Sequence, residues 1–189
     1  MSDWGQARTK TVTWYDPAIA RASAATMSGR EFLEAIIDGR VPPPPFAQLT
    51  GAQLVSVGDG VAVFRCMPDE STYNPLGLVH GGVVCTLLDS AAGCAVHSQL
   101  PAAVGFSSIE IKVSFLSPAN GATLEIEGRS LRVGRQVAFA EAHRAAGRFP
   151  EADEAVATAL ALYDQKGNVA AAARLRAAVG SGSRALTGL

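Results

Sequence analysis

An aspartate inside an apolar helical pattern is the first residue of this sequence that could do chemistry. Apolar residues recur at helical spacing from Val83 to His97, and Asp89 lies in the middle of that pattern. A carboxylate in such a place is costly unless it is hydrogen-bonded or faces a cleft, and carboxylates that line clefts often serve as bases. Asp89 is therefore either a catalytic base or a carboxylate on a solvent-facing stripe of the helix.

The start of the same helix could hold a developing negative charge. His80-Gly81-Gly82 precedes the apolar pattern. The first N–H groups of a helix have no intrahelical acceptor, they carry the positive end of the helix dipole, and glycine lets a ligand approach them closely. Such a group could act as an oxyanion donor. Many helices begin with glycines, however, so this feature alone is weak evidence of a site.

The spacing of Gly81 and Asp89 bears on how such a site is assembled. Eight residues separate them, which is about 12 Å along a helix axis. A base and an oxyanion donor must both come within about 3 Å of the reacting group or its attacking water. One straight helix places them poorly for this. We therefore expect a composite site at a dimer interface, with Gly81 of one subunit facing Asp89 of another.

The bulk properties describe an ordinary globular protein. The chain has 189 residues, 48% of them hydrophobic, and a net charge of -1. This balance gives no electrostatic reason to expect nucleic acid or an anionic membrane as a partner. The beginning of the sequence lacks the apolar core of a secretory signal, and no apolar run approaches the roughly 20 residues of a membrane span. We expect a cytoplasmic protein.

The cysteines point the same way. Cys66, Cys85 and Cys94 are odd in number and form no Cys-x-x-Cys pair. Buried, reduced thiols are the expected state, and a zinc site is not expected.

The pattern of elements is typical of an α+β fold. Ile109, Ile111, Val113 and Phe115 alternate with polar residues and predict the clearest strand. Gly128 stands where the apolar parity slips, between Ile126 and Leu131, and predicts a bulge. The remaining predictions are a helix over 29–39 closed by Gly39, an extended connection through 42–45, a hairpin of 54–57 and 61–67, the helix over 83–97, and strands over 123–132 and 135–142.

The tail allows two interpretations. Val156, Thr158, Leu160 and Leu162 alternate as in a strand. The alanine-rich stretch from Gly147 onward also fits the second helix of a tetratricopeptide-like hairpin. Residues 170–179 predict a helix, and 180–189 a frayed end.

Several motifs together resemble the PaaI subgroup of hotdog-fold acyl-CoA thioesterases. They match in order and spacing from about Phe32 to Ala142: Pro-Pro-Pro-Pro-Phe-Ala at 42–47, Asn-Pro-Leu-Gly at 74–77, His-Gly-Gly-Val-Val at 80–84, Leu-Leu-Asp-Ser-Ala-Ala-Gly-Cys-Ala-Val-His-Ser at 87–98, and Ser-Ser-Ile-Glu-Ile-Lys-Val-Ser-Phe at 107–115. The resemblance implies an antiparallel sheet wrapped around one long central helix. It also implies dimers that pair edge strands, often tetramers, and hydrolysis of acyl-CoA without a metal or a separate cofactor.

The resemblance also implies a role for particular residues. Asp89 takes the place of the catalytic carboxylate, as general base or nucleophile, and Gly81 that of the backbone N–H that polarises the thioester carbonyl. Asn74 and His80 take the places of groups that orient substrate or water. Ser108 matches a hydroxyl position, with Ser107 as a nearby substitute.

Two further residues are expected at the coenzyme A end of the substrate. In similar enzymes the turn that corresponds to Gly134 and Arg135 lies near the phosphates, and a guanidinium suits that contact. No motif supports a catalytic or binding role for His97 or His143, and both are expected to be structural.

The expected domain is 29–163, preceded by a weakly ordered lead-in at 1–28 and followed by a helical tail at 164–189. Enzymes of this type need a final strand within the sheet, and here it could only be about Ala155–Leu162, after the charged insertion 151–154. We favour the strand. If this segment is a helix, the sheet is incomplete and activity is in doubt.

Two other functions remain open at this point. A hotdog hydratase or dehydratase would use a histidine with a carboxylate, but an aspartate nine residues after His80 fits the thioesterase pattern better. A non-catalytic acyl-CoA-binding or scaffold protein is the alternative of another class, and the presence of Asp89 argues against it.

Overall fold

A long helix lying against an antiparallel sheet is the centre of the structure, a computed structural model that describes residues 3–145. The sheet order is β1-β2-β3-β4, with every neighbouring pair antiparallel. In chain order the elements are α1 (Pro17–Ala24), α2 (Gly29–Ile37), α3 (Pro45–Thr50), β1 (Ala52–Gly58), β2 (Val61–Cys66), a 3-10 turn (Glu70–Thr72), α4 (Gly81–His97), β3 (Leu124–Val133) and β4 (Ala138–Ala145).

These elements belong to one compact unit, Met1–Val113 with Ala119–Ala145. A second unit consists of Ser114–Pro118 and Ala146–Leu189, of which only the first range lies among the described residues. The proposed domain limits therefore stay predictions. So do the last strand at 155–162 and the tail helix, which lie outside the described residues.

The hydrophobic core lies between α4 and the sheet. Leu87, Ala91 and Ala95 are fully buried on the helix, and Ala62 and Ile126 face them from β2 and β3. Small residues on this helix face let the backbone of α4 come close to the strands. The predicted α4 is confirmed, and it begins two residues earlier than the apolar pattern indicated.

The first hairpin is also confirmed. Gly58 pairs with Val61, so Asp59 and Gly60 form the two-residue turn, and Gly60 has a φ of 69°. A positive φ in a two-residue hairpin turn favours glycine. β1 and β2 pair in register except for a shift between Leu54 and Ser56.

The bulge predicted at Gly128 is wrong in its position. Gly128 pairs regularly with Ala62 on one side and Ala142 on the other. The register shift lies between Ser130 and Arg132 instead. Gly128 is needed for a different reason: a Cβ atom there would lie 2.1 Å from the Ala91 carbonyl oxygen of α4. The glycine therefore permits close packing of helix on sheet.

The segments before the sheet hold one confirmed helix and two that the sequence did not predict. α2 has a capping box in which Ser28 and Glu31 bond each other's backbone, and Gly39, with a φ of 74°, follows its end as expected. α1 and α3 were not predicted because they are short and each begins with a proline. Proline is favourable at the first position of a helix but not in its interior, so Pro17 and Pro45 did not indicate helices. The extended connection predicted through 42–45 is wrong at its last residue, because Pro45 begins α3, and it holds at Pro44, whose backbone is extended.

The prediction of a strand over Ile109–Phe115 is wrong for the described part of the chain. These residues form no ladder with any other described residue, and the side chains of Ile109 and Phe115 are 84% and 60% exposed. Alternation of apolar and polar residues specifies two faces of an extended chain, but a strand also needs a neighbour for its backbone groups. The neighbour we expected, 155–162, lies outside the described residues.

The third strand of the meander is shifted along the chain. β4 begins at Ala138 rather than at Arg135, because Gly134 to Val137 form the turn and the Gly134 N–H donates to the Val137 carbonyl at 3.0 Å. Among the described helices, none combines the length and the apolar character needed to cross a membrane.

Candidate active site

The carboxylate of Asp89 meets a hydroxyl from the segment that follows α4. Asp89 lies half-buried in the middle of the helix, and its Oδ1 accepts a hydrogen bond of 2.7 Å from Ser108 Oγ. Of the two serines considered, Ser108 is the one in contact. Asp89 thus faces a neighbouring segment, and no described residue other than Ser108 bonds its carboxylate. As far as residues 3–145 are concerned, Oδ2 is available to a substrate or a water molecule.

The helix start presents a backbone N–H outward. His80 is the N-cap of α4, and its Nδ1 accepts from the Gly82 N–H at 2.9 Å. The Gly81 N–H donates to no described residue, and at the first helical position it has no intrahelical acceptor. Gly81 therefore offers a free donor at the positive end of the helix dipole.

The same hydrogen bond defines the chemistry of His80. Because Nδ1 accepts, the proton of the neutral imidazole lies on Nε2, which can donate to an oxygen. The side chain is exposed, while its backbone N–H is tied to the Thr72 carbonyl at 2.9 Å. His80 is thus a capping residue and a potential donor at once.

Asn74 closes the loop that leads into the helix. Its Oδ1 accepts from the N–H groups of Leu76 at 2.9 Å and Leu78 at 3.2 Å, and its own N–H donates to the Leu78 carbonyl at 2.8 Å. Tyr73 and Val79 pair beside it in an isolated bridge. With the oxygen engaged, only the amide nitrogen of the carboxamide remains for a substrate.

Two of the three cysteines, Cys66 and Cys94, are not suited to act as nucleophiles. All three are free. Burial, and secondarily the charge of Asp89, raise the pKa of the Cys94 thiol to about 12. Burial also raises the pKa of Cys66. Both stay protonated at neutral pH, and nucleophilic attack needs the thiolate.

The structure assembles two groups of predicted residues rather than one. Asn74, His80 and Gly81 lie together at the start of α4, whereas Asp89 and Ser108 meet about two turns further along. Gly134 and Arg135 lie in the exposed turn between β3 and β4, and no acidic residue within 3–145 pairs with Arg135. Within the same range, no cluster of His, Cys, Asp or Glu could hold a metal ion.

Sequence reasoning missed one contact beside Asp89. The ring of Phe106, two residues before Ser108, lies against α4 at Gly93, where a Cβ atom would come 2.6 Å from the ring. The signal in the sequence was the glycine itself, since a glycine inside a helix lowers its stability and often marks a close approach.

Comparison with known proteins identifies the family. The family model described as "Thioesterase superfamily" matches residues 76–143, which include His80, Asp89 and Ser108. A protein of Halobacterium salinarum that is named as an esterase is 35% identical over 112 residues, covering 57% of this chain and 74% of that protein. This chain belongs to the thioesterase superfamily. The predicted enzyme class, a thioester hydrolase, is thereby confirmed.

A human protein and a solved structure are also similar to this chain. Human acyl-coenzyme A thioesterase 13 is 28% identical over 118 residues, covering 62% of this chain and 81% of its own length. A solved structure from Ralstonia eutropha JMP134, of a thioesterase and phenylacetic acid degradation-related protein, has a TM-score of 0.58 at 24% identity, over 62% of this chain and 90% of that one. The α+β hotdog fold predicted from the sequence is confirmed.

Proposed function

We propose that this chain is a PaaI-type acyl-CoA thioesterase of the cytoplasm, which hydrolyses an acyl-CoA to the free acid and CoA with no metal and no separate cofactor. The observation that carries the proposal is the half-buried carboxylate of Asp89 in α4, hydrogen-bonded to Ser108 and open at Oδ2. The name of the human relative, an acyl-coenzyme A thioesterase, supports CoA as the thiol part of the substrate.

In the proposed hydrolysis, Asp89, Gly81 and Ser108 each have a separate role. Asp89 takes a proton from water as the water oxygen attacks the thioester carbonyl carbon, or it attacks that carbon itself and water then hydrolyses the resulting anhydride. The Gly81 N–H stabilises the oxyanion of the tetrahedral intermediate. The C–S bond then breaks, and the CoA sulfur leaves as a thiolate that takes up the proton. Ser108 holds the carboxylate in place through its 2.7 Å hydrogen bond.

Two copies of the chain are needed to complete the site. Gly81 and Asp89 are the first and ninth residues of one straight helix, so they are about 12 Å apart along its axis. A homodimer or homotetramer that places Gly81 of one copy opposite Asp89 of the next brings both within reach of one carbonyl group. The exposed guanidinium of Arg135 is then available for the phosphates of CoA.

Replacement of the carboxylate by an amide tests the proposal. Asp89→Asn should lower hydrolysis of acyl-CoA about 10²–10⁴-fold, the typical loss when a general base is removed, while calorimetry still detects CoA binding. Free CoA is followed with a chromogenic thiol reagent. Asp59→Asn is the matched control, because Asp59 is exposed in the β1–β2 turn and bonds only Gln99 among the described residues. Full activity in Asp89→Asn would remove Asp89 from the mechanism, and no hydrolysis by the parent enzyme would reject the function.

A further inference from the structure

The ring of Phe106 lies against α4 about one turn beyond the Asp89–Ser108 pair. Two ring atoms of Phe106 lie 2.6 and 2.7 Å from where a Cβ atom on Gly93 would stand, so the ring edge occupies the position of a side chain on α4. The ring is nevertheless 47% exposed. It is held by the helix on one edge and open on the other.

The position of this ring relative to Asp89 follows from two contacts with α4. Phe106 and Ser108 are two residues apart in a segment outside the helices and strands, and both side chains reach the helix. Ser108 meets α4 at Asp89, and Phe106 meets it at Gly93, four residues further on. The ring therefore lies about 6 Å further along the axis of α4 than the carboxylate.

Two further aromatic rings continue the row that begins at Phe106. The ring of His97 contacts Phe106 edge-on at a centroid distance of 5.6 Å and contacts Phe32 on its other side at 5.7 Å. Burial lowers the pKa of His97, so its imidazole is neutral at pH 7. The row Phe32–His97–Phe106 continues the apolar surface away from Asp89, whereas the opposite end of α4 carries the exposed and polar His80.

We propose that Phe106, seated on Gly93, is the residue that limits the length of the acyl group. This inference rests on the proposed thioesterase function. An apolar acyl chain whose carbonyl carbon reacts at Asp89 is drawn toward the aromatic row and not toward the polar helix start. After about 6 Å, the length of a short acyl chain, it meets the Phe106 ring. The enzyme thus takes short-chain acyl groups and rejects long ones.

A series of straight-chain substrates tests this role. The parent enzyme and the variants Phe106→Ala, Phe106→Leu and Phe106→Trp are assayed with acetyl-, butyryl-, hexanoyl-, octanoyl- and decanoyl-CoA. For the parent, kcat/KM falls beyond the short acyl groups. In Phe106→Ala the ratio of kcat/KM for octanoyl-CoA to that for butyryl-CoA rises at least about 10-fold, because a pocket discriminates roughly 10–200-fold per methylene. Phe106→Leu raises it less, and Phe106→Trp lowers it.

Two more variants separate the position of the ring from general effects. Gly93→Ala places a methyl group against the ring and forces it to move, so it changes the same ratio with Phe106 intact. Phe139→Ala is the matched control, a 60% exposed phenylalanine on β4 between residues that are more buried, and it leaves the ratio unchanged.

An unchanged ratio in Phe106→Ala and Phe106→Trp, with both variants folded and active, overturns the inference while the thioesterase function stands. A parent enzyme that hydrolyses none of the five substrates overturns the function itself. The two failures are thereby distinguished.

Discussion

At the residue scale, the carboxylate of Asp89 comes from a helix and the hydroxyl of Ser108 from a segment outside the helices and strands, 19 residues further along the chain. The sequence alone identified Asp89 as a candidate catalytic residue, because a charged side chain inside an apolar helix is costly unless it is hydrogen-bonded or faces a cleft. The resemblance pointed to Ser108, with Ser107 as a substitute, as a hydroxyl of the site. It did not predict that this hydroxyl donates to Asp89, because that contact depends on how the segment after α4 returns to the helix.

Removal of the Ser108 hydroxyl tests this pair. Ser108→Ala should lower kcat about 10-fold, since a hydrogen bond to a charged group contributes roughly 1.5–3 kcal/mol and part of it is replaced by water. KM should change little, because the bond positions the carboxylate rather than the substrate. Ser107→Ala is the control and should behave as the parent enzyme. Equal effects of the two variants in steady-state assays would contradict the assigned contact.

His97 shows where residue types mislead. No motif supported a role for it, and it was expected to be structural. The structure places it between Phe32 and Phe106, in the row that we propose leads the acyl chain away from Asp89. A single sequence does not show that this histidine contacts two aromatic rings. Phe32 is distant from it in the chain, and Phe106 lies in a segment outside the helices and strands.

At the scale of elements, the periodic patterns correctly predicted α4 and the first hairpin. They were less accurate where tertiary contacts determine the position of a bulge or the pairing of a strand. The parity slip in β3 was real, but the bulge falls between Ser130 and Arg132. We predicted the bulge at Gly128 because a glycine inside a strand often marks either a bulge or a close approach of another backbone. Here it is the close approach, and the sequence contains no information on which helix atom lies opposite.

The role of Gly128 in helix–sheet packing can be measured. Gly128→Ala should lower the free energy of unfolding by about 1–3 kcal/mol, the typical cost of overpacking, because the new methyl group meets the Ala91 carbonyl of α4. Gly58→Ala is the matched strand control, since its nearest neighbour would be the Val61 Cβ at 3.9 Å and its φ is not positive. Urea unfolding curves compare the two. A stable Gly128→Ala protein would mean that α4 and β3 are further apart.

The segment 108–115 shows that an alternating pattern alone does not establish a strand. Its alternation is perfect, and yet it pairs with no described residue. In the structure every residue of this segment except Val113 is exposed, so its apolar side chains form no buried face among the described residues. The pattern could not report which strand supplies the hydrogen bonds, because strand pairing is a long-range property of the chain.

At the scale of the whole molecule, the central claim is that one thioester-cleaving site is built from two copies. Gly81 and Asp89 lie on one helix with two turns between them, so in our proposal a single chain offers a carbonyl group one of them but not both. The shared site is a proposal from this spacing, and the structure shows α4 as one helix from Gly81 to His97.

The chain permits a clean removal of the Gly81 donor. Proline lacks an N–H and is well tolerated at the first position of a helix. The residue before a proline must be extended, and His80 already is, with φ of -61° and ψ of 134°. Gly81→Pro should therefore abolish the oxyanion donor while α4 keeps its start.

The decisive measurement is the activity of mixed dimers of Gly81→Pro and Asp89→Asn chains, each inactive as a homodimer. The two proteins carry different affinity tags, are exchanged by dilution and reassembly, and the doubly tagged species is confirmed by sequential purification. If sites are shared, half of the dimers in an equal mixture are mixed and each keeps one intact site, so about a quarter of the parent activity returns. No activity in purified mixed dimers would contradict the shared site.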